Sequence, residues 1–395
     1  MAAVNSGTTV PVPQPAWSLV YNQKDITHDV SPYVLSVSYT DKLSGESDEI
    51  QVELEDSAGR WRDEWYPGKG DTLALKIGYA GEPLRDCGHF SIDEIELSGP
   101  PGQVSLRGLA TSVTRAMRTK TSRGFENTTL AAIAERIARK HHLQLQGQIE
   151  PLTLDRVTQY DETDLGFLKR IAGEYGYMIK VTHTHVIFSS LDKLREAKPV
   201  LTFTPSDIGH YSIRDTINRI YKGARYRHHN SRTKQVVTVG VQADGQTGVV
   251  GEKTVTMLHA LRGHSTSADM LTLSGRAGNQ GTAEHKTRAA LNLKNQYQKV
   301  ATLSMAGNLR LRAGHNVTLA EFGALNGIWL TGSVRHNINR SGGYSVEAEV
   351  VRGPVAAKGK HGAGFKKLVV VGQQQDGSIG VVGNTIARKP TRGRR

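Results

Sequence analysis

The chain has 395 residues, a single cysteine and a formal net charge of +13. That length exceeds one ordinary hydrophobic core and points to two or three domains. Cys87 alone excludes an intramolecular disulfide and fits folding in a reducing cytosol, and no apolar run reaches the roughly 18 residues of a membrane span.

The charge sits unevenly. Residues 356–395 hold nine Lys and Arg against Asp376 alone, a net +8 that leaves +5 for the first 355 residues. The body is therefore mildly basic. The tail reads equally as a solvated end or as a segment that touches nucleic acid or an acidic face. At the other end, 1–16 form a small, polar, Pro-containing arm without the basic and apolar regions of a signal peptide.

From 17 to 115 the pattern predicts a first tube-like β-barrel. Leu35, Val37 and Tyr39 alternate, then Ile50, Val52 and Leu54, then Leu73, Leu75 and Ile77. Phe90, Ile92, Ile95 and Leu97 continue the series, and Val104 and Leu106 close it after Gly99-Pro100-Pro101-Gly102. Period-two alternation broken by Gly, Pro and Asp turns is the mark of a small antiparallel barrel or sandwich.

Residues 116–205 predict an α/β domain. Leu130, Ile133, Ala134, Ile137 and Ala138 make one stripe of an amphipathic helix, with Asn127 or Thr128 as its N-cap. A second helix is predicted from Gln159, with carboxylates in its first turn and Gly176 ending it in a left-handed conformation. A hairpin follows, Tyr177–Thr182 with His185–Ser189.

The second of these segments carries a long ordered motif. Gln159, Glu162, Thr163, Asp164, Phe167, Leu168, Arg170, Ile171, Ala172, Glu174, Tyr175 and Gly176 resemble the run shared by the phage tail hub proteins known as late control protein D. The resemblance extends from about Trp17 to Arg352 and leaves out the basic tail.

Residues 206–355 predict a second tube-like barrel with an insertion at 227–281. Ile213 to Tyr226 enters it, and a helix from Thr282 to about Tyr297 leads back. Its strands are expected at Val300–Met305, Asn308–Leu311, Val317–Leu319, Trp329–His336 and Tyr344–Val350. Gly314 to Leu319 parallels Gly70 to Leu75, and the two hairpins that follow correspond, so one barrel is expected to be used twice. The expected fold class is thus α+β and mainly β, with two similar antiparallel β-barrels and an α/β domain between them.

A further repeat stands out. Val236 to Gly251 matches Leu368 to Gly383, with Asp244-Gly245 and Asp376-Gly377 at the two centres. Asp-Gly is a two-residue hairpin turn signal. The first hairpin lies in the insertion and the second in the C-terminal extension, 356–395. Both read as exposed β-arms that lie on neighbouring chains or on each other, because glycine-rich arms without a core need a surface.

Chemistry finds little footing. His183 and His185 flank a hairpin turn without the further Cys or His ligands of a zinc site. His141 follows a helix C-terminus, where a solvated or dipole-facing histidine is ordinary. Gly275 to Gly281 lacks the Gly-Lys-Ser/Thr ending of a P-loop, Glu162 and Asp164 read as helix-stabilising acids, and Cys87 lacks a nucleophile motif. No catalytic residue, cofactor or metal is expected.

What the resemblance implies is positional. Such a hub is a homotrimer in the virion's tail baseplate, assembled in the bacterial host cytoplasm. It joins a six-fold tail tube to a three-fold spike, meets other baseplate proteins, and lines a channel that the genome touches in transit. VgrG proteins of secretion systems are similar but carry their own β-helical spike. No such repeat follows residue 350, so the spike is expected on a separate chain. The alternatives are a hub with peptidoglycan-hydrolase activity and a hub of a tailocin or secretion-type injection system.

Overall fold

Alternating apolar residues build most of the molecule. The computed structural model describes residues 13–44, 47–110, 119–182, 184–230, 235–242, 247–248, 269–274, 280–353, 368–373 and 379–385. The first β region holds β1 (Pro15–Tyr21), β2 (Lys24–Asp25), a single helical turn α1 (Thr27–Val30), β3 (Val34–Lys42), β4 (Glu49–Glu55), β5 (Thr72–Tyr79), β6 (Arg85–Ser98) and β7 (Gln103–Ala110). In β4 the burial alternates residue by residue, with Ile50, Val52 and Leu54 closed to solvent. That is the consequence of period two on a sheet with one face on a core.

The second β region comprises β13 (Leu201–Phe203), β14 (His210–Asp215), β19 (Lys299–Ala306), β20 (Asn316–Leu319), β21 (Gly327–Asn339) and β22 (Gly343–Arg352). Its strand order β14-β19-β22-β21-β20 repeats that of the first region, β3-β4-β7-β6-β5. In both, the long fourth strand of the set is bulged against the third, between Ile92 and Glu94 and between Thr331 and Ser333. The two sets are not separate bodies. Antiparallel pairing of β3 with β21, from Ser333 opposite Lys42 to Asn339 opposite Ser36, joins them into one 13-stranded sheet. Their apolar faces share one core, in which Phe90, Ile50 and Leu75 meet Trp329, Val334 and Leu303.

One strand expectation fails here: Asn308–Leu311 is a turn, in which the Leu311 N–H donates to the Asn308 carbonyl. Of the segment Ile213 to Tyr226, β14 ends at Asp215 within this region, and β15 (Gly223–Asn230) belongs to another sheet.

Between the two regions in sequence lie β8 (Lys120–Thr129), α2 (Leu130–Lys140), β9 (Gln144–Gln146), β10 (Thr153–Thr163), α3 (Asp164–Glu174), β11 (Tyr177–Val181), β12 (His185–Ser190) and α4 (Leu191–Glu196). β8 and β10 form an antiparallel ribbon, and β11, β12 and β9 a three-stranded sheet. The apolar stripe of α2 is fully buried against Phe167, Leu168, Ile171 and Phe188. Phe125 stacks on Phe167 with centroids 5.5 Å apart.

The insertion folds with its own partners. β15, β16 (Gln235–Gln242), β17 (Thr247–Gly248) and β18 (Met270–Ser274) make a four-stranded sheet in the order β17-β16-β15-β18, covered by α5 (Gln280–Asn295). Ala224, Tyr226, Val239, Ala283 and Leu291 form its small core. The first repeat is therefore no free arm. β16 pairs with β15 along its whole length because that ladder satisfies its backbone and lets Val239 reach α5's sheet face. The second repeat supplies β23 (Leu368–Gln373) and β24 (Ile379–Thr385), a two-stranded sheet.

Candidate functional site

The motif begins as a strand, not as a helix. β10 runs through Gln159 to Thr163, and helix α3 starts only at Asp164. Asp161 takes a left-handed φ of 47°, and the ladder with β8 shifts register between Gln159 and Glu162. Pairing with β8 satisfies those backbone groups, which overrides the helical look of the acids. Thr163 then caps the helix, its Oγ1 accepting from the Gly166 N–H at 3.0 Å. A parallel correction holds for α2: β8 continues to Thr129, Asn127 has φ of 45°, and Thr129 rather than Asn127 or Thr128 is the cap.

Asp164 is the centre of the motif's first half. Its carboxylate is shut off from solvent and accepts from Arg123 at 2.6 Å, Lys140 at 2.7 Å and Gln159 Nε2 at 3.0 Å. His141 Nε2 lies 2.8 Å from it, so this histidine is buried beside a carboxylate and not solvated. Burial works against the Asp164 charge, but the bonds from Lys140, Gln159 and His141 and the charge of Arg123 outweigh it and hold the carboxyl at about 2. Lys140 lies at the C-terminal end of α2 and Asp164 at the N-terminal end of α3, where each charge complements its helix dipole. One carboxylate thereby ties the two helices and the β8–β10 ribbon together.

The middle of the motif faces the core: Phe167, Leu168, Ile171 and Ala172 are fully buried. Arg170, on the outer face, forks onto Glu162 at 2.8 and 3.1 Å, bonds Glu174 at 2.9 Å and donates to the Thr158 carbonyl at 2.9 Å. The last third seats the insertion. Glu174 also takes Lys286 of α5 at 2.9 Å, and that ammonium lies 5.2 Å from the centre of the Tyr175 ring. Gly176 has φ of 78°, and a Cβ there would stand 3.3 Å from Ala289 of α5. Only glycine meets both demands without strain.

A second charged cluster was not legible in the sequence. Asp41 of β3 accepts from Lys180 of β11 at 2.5 Å, from Arg85 of β6 at 3.1 Å and from the Ala313 N–H at 3.2 Å. Lys180 also reaches Asp48 at 2.9 Å. Arg85 donates to the Leu311 carbonyl at 3.2 Å and lies 3.1 Å from His336 Nε2, whose Nδ1 is 2.8 Å from the Tyr344 hydroxyl. Burial disfavours the Asp41 charge, yet Lys180 and Arg85 hold its carboxyl below the usual range. Burial, reinforced by Arg85, pushes His336 down to about 4 and keeps it neutral. The cluster thus pins both β regions and the α/β unit at one point.

Neither cluster has the layout of a catalytic centre. Glu162 and Asp164 are committed to Arg170 and to the helix junction. Burial raises the Cys87 thiol to about 12, far from a thiolate nucleophile. Among the described residues no three His, Cys, Asp or Glu side chains gather as a metal set, and no helix is long and apolar enough to cross a membrane. His185 Nδ1 meets Thr184 Oγ1 at 2.7 Å at the start of β12, and His183 lies outside the described residues. So do Gly275 to Asn279 and the turn residues Asp244, Gly245, Asp376 and Gly377.

A probable baseplate hub protein of Escherichia phage 186 is 26% identical over 210 residues, 52% of each chain. The corresponding protein of Escherichia phage P2 is 28% identical over 209 residues, 51% of this chain and 53% of that one. The match spans about half the length of these relatives. A tail protein from Neisseria meningitidis MC58 shares the fold, with a TM-score of 0.62 at 12% identity over 86% of this chain and 96% of that chain. The family model for the phage tail baseplate hub (GPD) covers residues 109–342, which take in the motif, the insertion and most of the second β region, and the chain belongs to that family.

Proposed function

We propose that this chain is a structural hub of a contractile tail baseplate, a homotrimeric adaptor in the virion between the six-fold tail tube and a separate three-fold spike. The observation that carries the reading is the repeated five-strand order fused through β3 and β21. Two like sets per chain, each set a tube-like barrel in the assembly, give three copies an approximate six-fold face and a true three-fold one. The Asp41 and Asp164 clusters fit a part whose work is to hold its shape under load.

The mechanism is positional. One rim of the ring binds the first tube ring and the other binds the spike, while further baseplate proteins pack outside. The lumen stays closed until the spike leaves, after which the genome, in a particle that carries one, passes through. The chain is non-enzymatic in this reading and assembles in the host cytoplasm. Reconstruction of the intact particle tests it: three copies with superposable β sets are expected, and six copies or dissimilar sets overturn it. Clearing of peptidoglycan by the purified protein in a zymogram would overturn the non-enzymatic part.

A further inference from the structure

The two copies of the repeated hairpin meet in the folded chain. β16 of the insertion and β23 of the C-terminal extension come within 8 Å of each other, although residues 353–367 separate β22 from β23. Both hairpins close in the same register about the Asp-Gly pair. Gly240 stands opposite Gly248 and Val241 opposite Thr247, and the equivalent Gly372 stands opposite Gly380 and Gln373 opposite Ile379. Matching sequence has produced matching strands.

Their edges are unequal in occupancy. β16 is paired by β15 along one side, but on the other β17 covers only Gly240 and Val241. Among the described residues the stretch from Gln235 to Val239 carries no ladder on that outer side, and β23–β24 has no third strand. β16 and β23 lie alongside without sharing a ladder. A two-stranded hairpin is marginal in water, and open strand edges of this kind take a further strand when one is offered.

We propose that the C-terminal hairpin is a strand donor between copies of this chain: β23 of one copy pairs with the outer edge of β16 in a neighbouring copy. A second copy is the occupant because the hairpin it offers matches, in sequence and register, the one that edge already belongs to. The stretch 354–367 can reach on the order of 45 Å when extended, enough to leave its own body. The proposal rests on the oligomeric hub reading, in which copies stand side by side. It gives the C-terminal hairpin a task, that of tying adjacent subunits.

The test uses full-length chains in the assembled particle, on a Cys87→Ser background. One differently tagged copy carries Thr238→Cys and the other Val370→Cys, and a short bismaleimide is added after co-assembly. A covalent product bearing both tags is expected. It should disappear with Val371→Pro in the donor, which removes a ladder hydrogen bond in β23, while the melting of the rest of the chain stays unchanged. Cross-linking only within a chain carrying both cysteines, or none at all in an intact oligomer, overturns the exchange and leaves the hub reading standing. Particles with a single copy of the chain overturn both.

Discussion

Asp164→Ala removes the one anion of a closed cluster and leaves Arg123, Lys140, His141 and Gln159 facing an empty centre. Breaking a buried ion pair by deleting one partner costs about 3–5 kcal/mol. The Arg123 and Lys140 side chains are 25% and 42% exposed and regain water, whereas His141 is closed at 2%. The cost therefore belongs at the lower end, about 3 kcal/mol. The four tryptophans, Trp17, Trp61, Trp65 and Trp329, all lie in the β regions, while α2 and α3 lie in the α/β unit. Urea unfolding followed by far-UV circular dichroism and by tryptophan fluorescence should then split, with the dichroism midpoint falling further. Glu162→Ala is the control. Its pair with Arg170 is 31% and 38% exposed, and after screening its loss is worth about 1 kcal/mol or less. The folded carboxyl of Asp164 is depressed to about 2. Its contribution is thus complete above the ordinary carboxylate range and fades as pH falls through about 2, so the gap between wild type and variant should narrow in acid. Equal costs for the two variants would refute the account of the motif's first half.

Leu168→Ala should cost about 2–5 kcal/mol, since the side chain is fully buried between α2 and α3, and normal thermal stability would refute that placement. Gly176→Val combines a left-handed φ with the close approach to Ala289. It should cost about 1–3 kcal/mol and speed amide exchange in α5, and an unchanged exchange pattern there would sink the seating role. His336 is held neutral with its pKa near 4. The unfolded chain takes up a proton near pH 6.5 that the folded chain refuses, so stability should fall between those values by on the order of 3 kcal/mol. His336→Gln should flatten that part of the pH–stability curve, and a slope equal to wild type would count against the Asp41 cluster as drawn.

The local elements and the faces they bury follow from the amino-acid order alone. The stripe from Leu130 to Ala138, the alternation of Ile50, Val52 and Leu54, and the left-handed Gly176 each follow from a period or a φ that neighbouring residues set. The motif of the hub family could also be read, as could one feature spanning distant segments, the likeness of the two β sets, because both leave a repeated or ordered pattern. Which surfaces meet is a property of the folded chain as a whole. Gln159 to Thr163 look like a helix start until β8 claims their backbone, and His141 looks solvated until Asp164 arrives from α3. The union of β3 with β21 and the bond from Lys180 to Asp41, 139 residues apart, leave no local trace. Periodicity tells that a face is buried but carries no address for its partner. A buried charge likewise takes its counter-ion from whatever segment the fold delivers.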